Sequence, residues 1–257
     1  MYYMNKVILI LLIVLIILLV LNTLNIYEFW DENLPIDKVV YVFWTGENKM
    51  SENRKKCLES IYKNIGVEVK LITPKNLNNF IKKYYPLHKA YNMLSVVHKS
   101  DYLRTYFMHH YGGGYTDVKY TTQNWNQYFD NLNKNKHYIA NGYTEIKGGS
   151  ASYNSKIQKD YKKLIGNCSY IFKKNTKLTQ EWINELHKKL DKKYDLLLMN
   201  PPLGPRDHIN SKEYSDTPST YPFQWTELLG EHFHDIIYKY KDQLLHDLPL
   251  INTQNYL

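Results

Sequence analysis

The sequence predicts an α/β domain with a mostly parallel central sheet flanked by helices, preceded by one apolar helix long enough to span a membrane. Three observations carry this. Residues 37–44, 51–62 and 67–73 read strand, helix, strand, the order of a parallel βαβ unit. A segment from 87 to 111 without glycine or proline then runs into Gly112, Gly113 and Gly114 and a further strand. Ahead of both, every residue from Val7 to Leu21 is Val, Ile or Leu.

The apolar run is the first element. Extended to position 26 by Leu24 and Ile26, it makes a helix of about 30 Å, the hydrocarbon thickness of a bilayer. No small-residue cleavage pattern follows in Asn22-Thr23-Leu24-Asn25, so the segment reads as an uncleaved signal anchor. Lys6 precedes it, whereas Glu28, Asp31 and Glu32 follow it. The amino terminus is then expected in the cytoplasm and the rest of the chain on the lumenal or periplasmic side, a single-pass type II arrangement, the alternative being a reversed anchor with the domain facing the cytoplasm. The expected organisation is an anchor and stem over residues 1–30 and one domain over 31–257, a size that suits a single α/β core.

Within that domain, residues 37–44 read Asp-Lys-Val-Val-Tyr-Val-Phe-Trp, a β-branched and aromatic run closed by Thr45-Gly46. Ser51 is the expected N-cap of a helix to about residue 62, Gly66 ends it, and Pro74 stands behind the second strand. Between 87 and 111, Val96, Leu103, Phe107 and Tyr111 fall on one stripe, which predicts a helix with a single buried face. The glycine triplet ends it, because glycine enters left-handed conformations without steric cost, and residues 115–121 read as the next strand. Further strands are expected at 138–141 and 169–172, a helix at 178–194, and a proline-rich loop at 200–205.

A net charge of +8 and a pI near 9.1 favour anionic partners. Of the 33 basic residues, however, only Arg54, Arg104 and Arg206 are arginines, and the wealth of lysine, asparagine and tyrosine looks like codon bias. Bulk charge is therefore a weak guide. No element interleaves a basic face with exposed aromatics, so nucleic acid is not an expected partner. Cys57 and Cys168 are too few for a disulfide framework or a zinc site, and whether they pair is left open.

Asp101 and Arg104 lie three apart and share a helix face, and Asp117 follows the glycines 16 residues after Asp101. A surface ion pair and a turn aspartate are the bland alternatives. The sharper reading is convergence of these three side chains beside a strand terminus, where open α/β sheets bind ligands.

Ser100-Asp101-Tyr102-Leu103-Arg104, followed by Tyr111-Gly112-Gly113-Gly114-Tyr115-Thr116-Asp117, resembles the S-D-x-x-R and Y-G-G-x-Y/W-x-D signature of GT-A glycosyltransferases with a DXD-type motif. These include the capsular polysaccharide synthesis proteins and the sugar-transferase domains of large clostridial toxins. Val42-Phe43-Trp44-Thr45-Gly46 and Cys57-Leu58-Glu59-Ser60 extend the likeness, which covers about residues 37–122. The resemblance implies a GT-A fold and a role for each matched residue. Trp44 would stack on the base of a nucleotide sugar. Asp101 and Arg104 would bond hydroxyls of the donor sugar and ribose. Asp117 would hold the ribose or a divalent metal, Mn²⁺ or Mg²⁺, on the diphosphate. Gly113 and Gly114 would let backbone approach the phosphates and the sugar.

The chain departs from the signature at Asp117-Val118-Lys119, where a lysine replaces the second, metal-binding aspartate. That puts the metal in doubt. Lys119 could itself be the cation that meets charge on the leaving diphosphate, with Asp117 and Lys119 on one face of the strand. Later in the chain His208 is a candidate second metal ligand beside Asp117, and Asp207 and Glu227 are suspects by analogy with late loops of GT-A enzymes. The implied activity is that of a membrane-anchored glycosyltransferase moving a sugar from a UDP- or GDP-sugar to a glycan or polysaccharide hydroxyl, with retention of configuration. An inverting enzyme would need a base such as Asp207 or Glu227. The alternative is a non-catalytic, membrane-tethered nucleotide-sugar binder.

Overall fold

The computed structural model describes residues 2–23 and 35–251, with the side chains of 6–19 and 35–251. The chain divides into two units, Met1–Asp31 and Glu32–Leu257. The first holds helix α1 (Tyr2–Thr23), whose side chains from Val7 to Leu19 are all exposed. Among the described residues no helix is long and apolar enough to cross a membrane, so the spanning segment expected from the sequence is without structural support.

The second unit runs β1 (Val39–Phe43), α2 (Glu52–Asn64), β2 (Glu68–Ile72), α3 (Val96–His110), β3 (Gly113–Thr116), α4 (Asn126–Lys134), β4 (Ala140–Thr144), α5 (Ser155–Lys159), β5 (Ile165–Phe172), α6 (Lys177–Lys192), α7 (Tyr194–Met199), α8 (Gly230–Lys239) and β6 (Leu244–Leu245). The strands form one sheet in the order β2-β1-β3-β5-β4-β6. Pairs β1 with β2, β1 with β3 and β4 with β6 are parallel, whereas β5 runs antiparallel to both of its neighbours. The sheet is therefore mixed, with the βαβ half that the sequence predicts parallel throughout and a second parallel pair, β4 with β6, at the far edge.

Alternation along β1 decides which helix covers which face. Val40 and Val42 pack with Cys57 and Ile61 of α2, whereas Val39, Tyr41 and Phe43 pack with Leu103 and Phe107 of α3. Helices α2 and α3 thus flank the sheet on opposite sides. Ser51 caps α2, its Oγ accepting from Arg54 N at 3.2 Å, and Thr176 caps α6 in a capping box with Thr179.

Three expectations change. Helix α3 starts at Val96, and it is buried nearly all round, because α6 covers the side that a single-stripe helix would leave wet. His109 Nδ1 meets Thr179 Oγ1 at 3.1 Å and Tyr102 OH meets His187 Nε2 at 3.2 Å across that contact. Strand β3 begins at Gly113 and not at Tyr115. A Cβ on Gly113, whose φ is +83°, would lie 2.8 Å from Val39 O, and one on Gly114 would lie 2.9 Å from Val40 Cγ2. The glycines let β3 press against β1. The strand then ends at Thr116, so Asp117 and Lys119 share a tight turn, with Lys119 N donating to Asp117 O at 2.7 Å, instead of one strand face. Cys57 and Cys168 are both free thiols.

Candidate active site

Strands β1 and β3 are parallel neighbours, and the chain leaving each of them lines one cleft of about 510 Å³. That volume is ordinary for a small-molecule site, about 300–1,000 Å³. β2 lies on one side of β1 and β3 on the other, so the cleft opens at the carboxyl ends of strands where the winding of the sheet reverses. Trp44, Thr45 and Gly46 enter it from β1, and Asp117, Val118 and Lys119 from the turn after β3. Helix α3 adds Ser100, Asp101 and Arg104, and α2 adds Arg54 from the other face of the sheet. Asn167 and Cys168 come from β5, and Pro205, Arg206, Trp225 and Thr226 from the late loops.

Arg104 organises the charged floor. Its Nη1 donates to Asn167 O at 3.0 Å, its Nη2 lies 3.2 Å from Asp117 Oδ1 and 3.7 Å from Asp101 Oδ1, and its guanidinium sits 4.5 Å over the Tyr115 ring. Tyr115 OH donates to Asp117 Oδ1 at 2.6 Å, and Lys119 Nζ lies 2.9 Å from Asp117 Oδ2. Both oxygens of Asp117 are therefore taken, by one hydroxyl and two cations. Burial alone would raise its pKa, but Arg104 and Lys119 outweigh burial and hold the carboxyl below the usual range. Asp101 fares differently. Burial pushes it up to about 7, because Arg104 leans toward Asp117 and compensates Asp101 only in part. For Lys119, burial works against the charge, but Asp117 outweighs it and the pKa rises, so the ammonium stays charged at neutral pH. Burial raises the Cys168 thiol to about 11, which leaves it protonated.

Trp44 is half-buried at the mouth, its N donating to Ile72 O at 2.9 Å and its Nε1 to Asn48 O at 2.8 Å. The late segment is fastened to α3 through His98. His98 Nε2 donates to Gln224 O at 3.1 Å, so Nδ1 is the acceptor for Tyr221 OH at 3.0 Å, and that hydroxyl also accepts from Ser95 N at 3.3 Å. Burial lowers His98 to about 4 and keeps it neutral.

Several expected residues do other work. Gly113 and Gly114 are buried strand residues packed against β1, and neither lines the cleft, so they do not bring backbone to a phosphate there. His208 does not line the cleft either. Its ring sits edge-on to Trp225 at 5.6 Å and its Nδ1 faces Arg206 O at 3.2 Å, so it supports the loop and does not join Asp117 as a metal ligand. Asp207 is fully buried and staples its own loop, accepting from Leu203 N, His208 N and Ser219 Oγ. Glu227 pairs with Lys193 at 2.5 Å and accepts from Gln224 N at 2.9 Å.

A divalent ion does not fit this donor set. The carboxylate that should ligate it already faces two cations, and a lysine stands where the second acid belongs. Among the described residues no three His, Cys, Asp or Glu side chains are grouped to hold a metal.

The sequence matches the family described as capsular polysaccharide synthesis protein over residues 22–157, just over half of the chain. The chain belongs to that family. The match spans β1, β3 and every charged residue of the floor, from Arg54 to Lys119. Among solved structures it is similar to the PaToxG glycosyltransferase, with 16% identity, a TM-score of 0.40 and 66% of each chain covered, just under two thirds of that protein's length. No curated protein matches it.

Sequence reasoning missed Arg54, Tyr115, Asn167, Cys168, Arg206 and Trp225 as cleft residues of this family member. One signal was available: its three arginines, so rare in a lysine-rich chain, all line the cleft.

Proposed function

We propose that this protein is a glycosyltransferase that moves a sugar from a nucleoside-diphosphate sugar, with uridine or guanosine as the nucleoside, to a hydroxyl of a glycan. One observation carries the reading: Trp44, Asp101, Arg104, Asp117 and Lys119 line a single cleft at the carboxyl ends of β1 and β3. Membership of a capsular polysaccharide family agrees with it.

In this proposal the Trp44 indole supplies a stacking platform for the base. Asp101 accepts from, and Arg104 donates to, hydroxyls of the donor. The bond between the anomeric carbon and the β-phosphate oxygen breaks, and its electron pair stays on the diphosphate. The acceptor oxygen forms the new bond to the same carbon, and its proton passes to the departing diphosphate. Such same-face attack retains configuration and needs no protein base. It is supported by the carboxylates available, since Asp101 and Asp117 are the only acids lining the cleft among the described residues, and Asp207 and Glu227 are engaged elsewhere. Arg206, Trp225 and Thr226 then fall to the acceptor side.

Attachment to a membrane is part of the proposal on sequence grounds. The unbroken run from Val7 to Leu21 ends where the family match begins at residue 22, and a type II orientation would put the cleft in a lumen or periplasm. Resistance of the full chain to alkaline extraction, together with protection of the 31–257 domain from added protease, tests this.

The activity is tested by incubating purified protein with a panel of UDP- and GDP-sugars, with and without Mn²⁺, and following hydrolysis and transfer. Turnover of at least one donor is expected, and none across the panel overturns the reading. The ion pair of Lys119 with Asp117 favours one rival, a binder without catalysis. Calorimetric binding of a nucleoside diphosphate without any turnover would establish that rival.

A further inference from the structure

The cleft is lined by four cationic side chains, Arg54, Arg104, Lys119 and Arg206, against two carboxylates, Asp101 and Asp117. Arg206 is set aside for the acceptor side and lies 3.9 Å from Glu213, so the cations around the motif are Arg54, Arg104 and Lys119, one more than the two carboxylates. That excess is also placed by design of the sequence: every arginine in the chain stands here, although lysine outnumbers arginine everywhere else. A guanidinium is the group that binds phosphate oxygens in a fixed fork, which lysine cannot reproduce.

Two of these cations are held at the motif itself. Lys119 Nζ is anchored on Asp117 Oδ2 at 2.9 Å, and Arg54 Nη1 donates to the carbonyl of Val118, the residue between them, at 2.7 Å. Asp117 meets both Arg104 and Lys119, so its single negative charge is exceeded by the cations it orients. In this arrangement Asp117 is a carboxylate that positions cations, where its counterpart in a DXD motif would ligate an ion.

We propose that this cleft grips the diphosphate of its donor without a divalent metal, Lys119 and Arg54 supplying the charge that a bound ion would otherwise bring. This rests on the nucleoside-diphosphate reading above and deepens it. When the bond from the anomeric carbon to the β-phosphate oxygen breaks, the electron pair left on that oxygen faces fixed side-chain cations. Because they are already in place, no ion has to be recruited or released in a catalytic cycle.

Titration calorimetry with UDP and GDP, first in EDTA and then in excess Mn²⁺, tests the proposal on the unmodified full chain. Binding in EDTA that changes less than about twofold with Mn²⁺ is expected. Binding that appears only with Mn²⁺ overturns the proposal while leaving the transferase reading intact. No binding under either condition overturns both. Electron paramagnetic resonance gives an independent readout. Mn²⁺ should remain free in the presence of the wild-type chain and UDP, and a bound Mn²⁺ signal there overturns the proposal. Lys119→Asp, which restores an acid at the second motif position, should bring such a signal and make nucleotide binding depend on the ion. Lys119→Met should weaken UDP or GDP binding in EDTA by about tenfold, the loss of one charge-assisted contact. Unchanged affinity in that variant, with its thermal melt intact, also counts against the proposal.

Discussion

Arg54 Nη1 donates to the backbone carbonyl of Val118 at 2.7 Å, a bond that ties helix α2 to the turn carrying Asp117 and Lys119. Ser60 and Asn64 of α2 reinforce it, Ser60 Oγ accepting from Thr121 N at 3.1 Å and Asn64 Nδ2 donating to Thr121 O at 2.8 Å. Arg54→Lys keeps the charge but loses the planar fork. It should raise the donor KM by about tenfold with a smaller change in kcat, since it removes a binding contact and its loop support. Steady-state kinetics over a range of donor concentrations checks this, and equal falls in kcat and kcat/KM with KM unmoved would contradict it.

Removing Arg104 leaves two acids without their main counter-charge in a buried setting. Arg104→Ala should destabilise the fold by about 3–5 kcal/mol, the usual cost of stranding a buried charge. Urea unfolding followed by circular dichroism gives the figure, and a change below about 1 kcal/mol would mean that Asp101 and Asp117 find other partners.

Donor binding should depend on pH through Asp101. Burial has raised this carboxyl to about 7, so the ion that accepts from a donor hydroxyl forms only as pH rises through that value. Affinity is expected to strengthen from about pH 6 to about pH 8, by up to tenfold per unit on the acid limb. In Asp101→Asn that dependence should flatten. A wild-type profile without a step near neutrality would remove Asp101 from the donor site.

Stability should fall on acidification for a separate reason. Burial lowers His98 and His187 to about 4 and His110 and His232 to about 3. An unfolded histidine titrates near 6.5, so the unfolded chain binds more protons between about pH 4 and 6.5. The stability these four neutral rings contribute is complete above about 6.5 and is lost as pH drops toward their folded values. Asp101 acts in the opposite sense, since its folded pKa is raised and its contribution is lost as pH rises through about 7. His246, lowered by burial, and Asp117, held low by Arg104 and Lys119, act in the same sense as these histidines, so a net loss remains on acidification, each histidine worth up to about 1.4 kcal/mol per pH unit. Melting temperatures from pH 7 down to pH 4 should decline steadily, with His98→Gln shallower than wild type.

Gly114→Ala separates packing from binding. Its Cβ would meet Val40 Cγ2 at 2.9 Å and the Trp125 ring at 3.2 Å, both deep in the sheet-helix layer. Loss of about 1–3 kcal/mol of stability with donor affinity unchanged is expected. Altered affinity at unchanged stability would return the glycines to the phosphate site.

The βαβ half of this fold was legible because each signal in it is local. Ser51 caps where a serine precedes a helix, and the β-branched run at 39–43 has no competing period. The buried circumference of α3 was not, since its polar-tipped residues are covered from outside the helix: His109 and Tyr102 meet Thr179 and His187 of α6, 70 and 85 positions away, and the Tyr106 hydroxyl bonds Lys82 N and Tyr85 O. In the site, Asp101, Arg104 and Asp117 announced themselves by spacing, whereas Trp225 and Arg206 lie on loops whose path only tertiary contacts determine. Arg54 sits on the exposed-looking side of α2, and nothing in its neighbours Asn53 and Lys55 sets it apart. His208 was expected by analogy with late loops, and an analogy of loops does not fix where the ring points: it lies against Trp225, outside the cleft lining.

The clasp between Tyr221 and His98 has an evolutionary reading. Neither side chain lines the cleft, yet together they moor the segment that carries Trp225 to the same helix that holds Asp101 and Arg104. Substitutions at Arg206, Trp225 and Thr226 can therefore accumulate without unmooring that wall. Under the proposed function, this would let acceptor choice change between descendants while the donor side of the cleft stays in place.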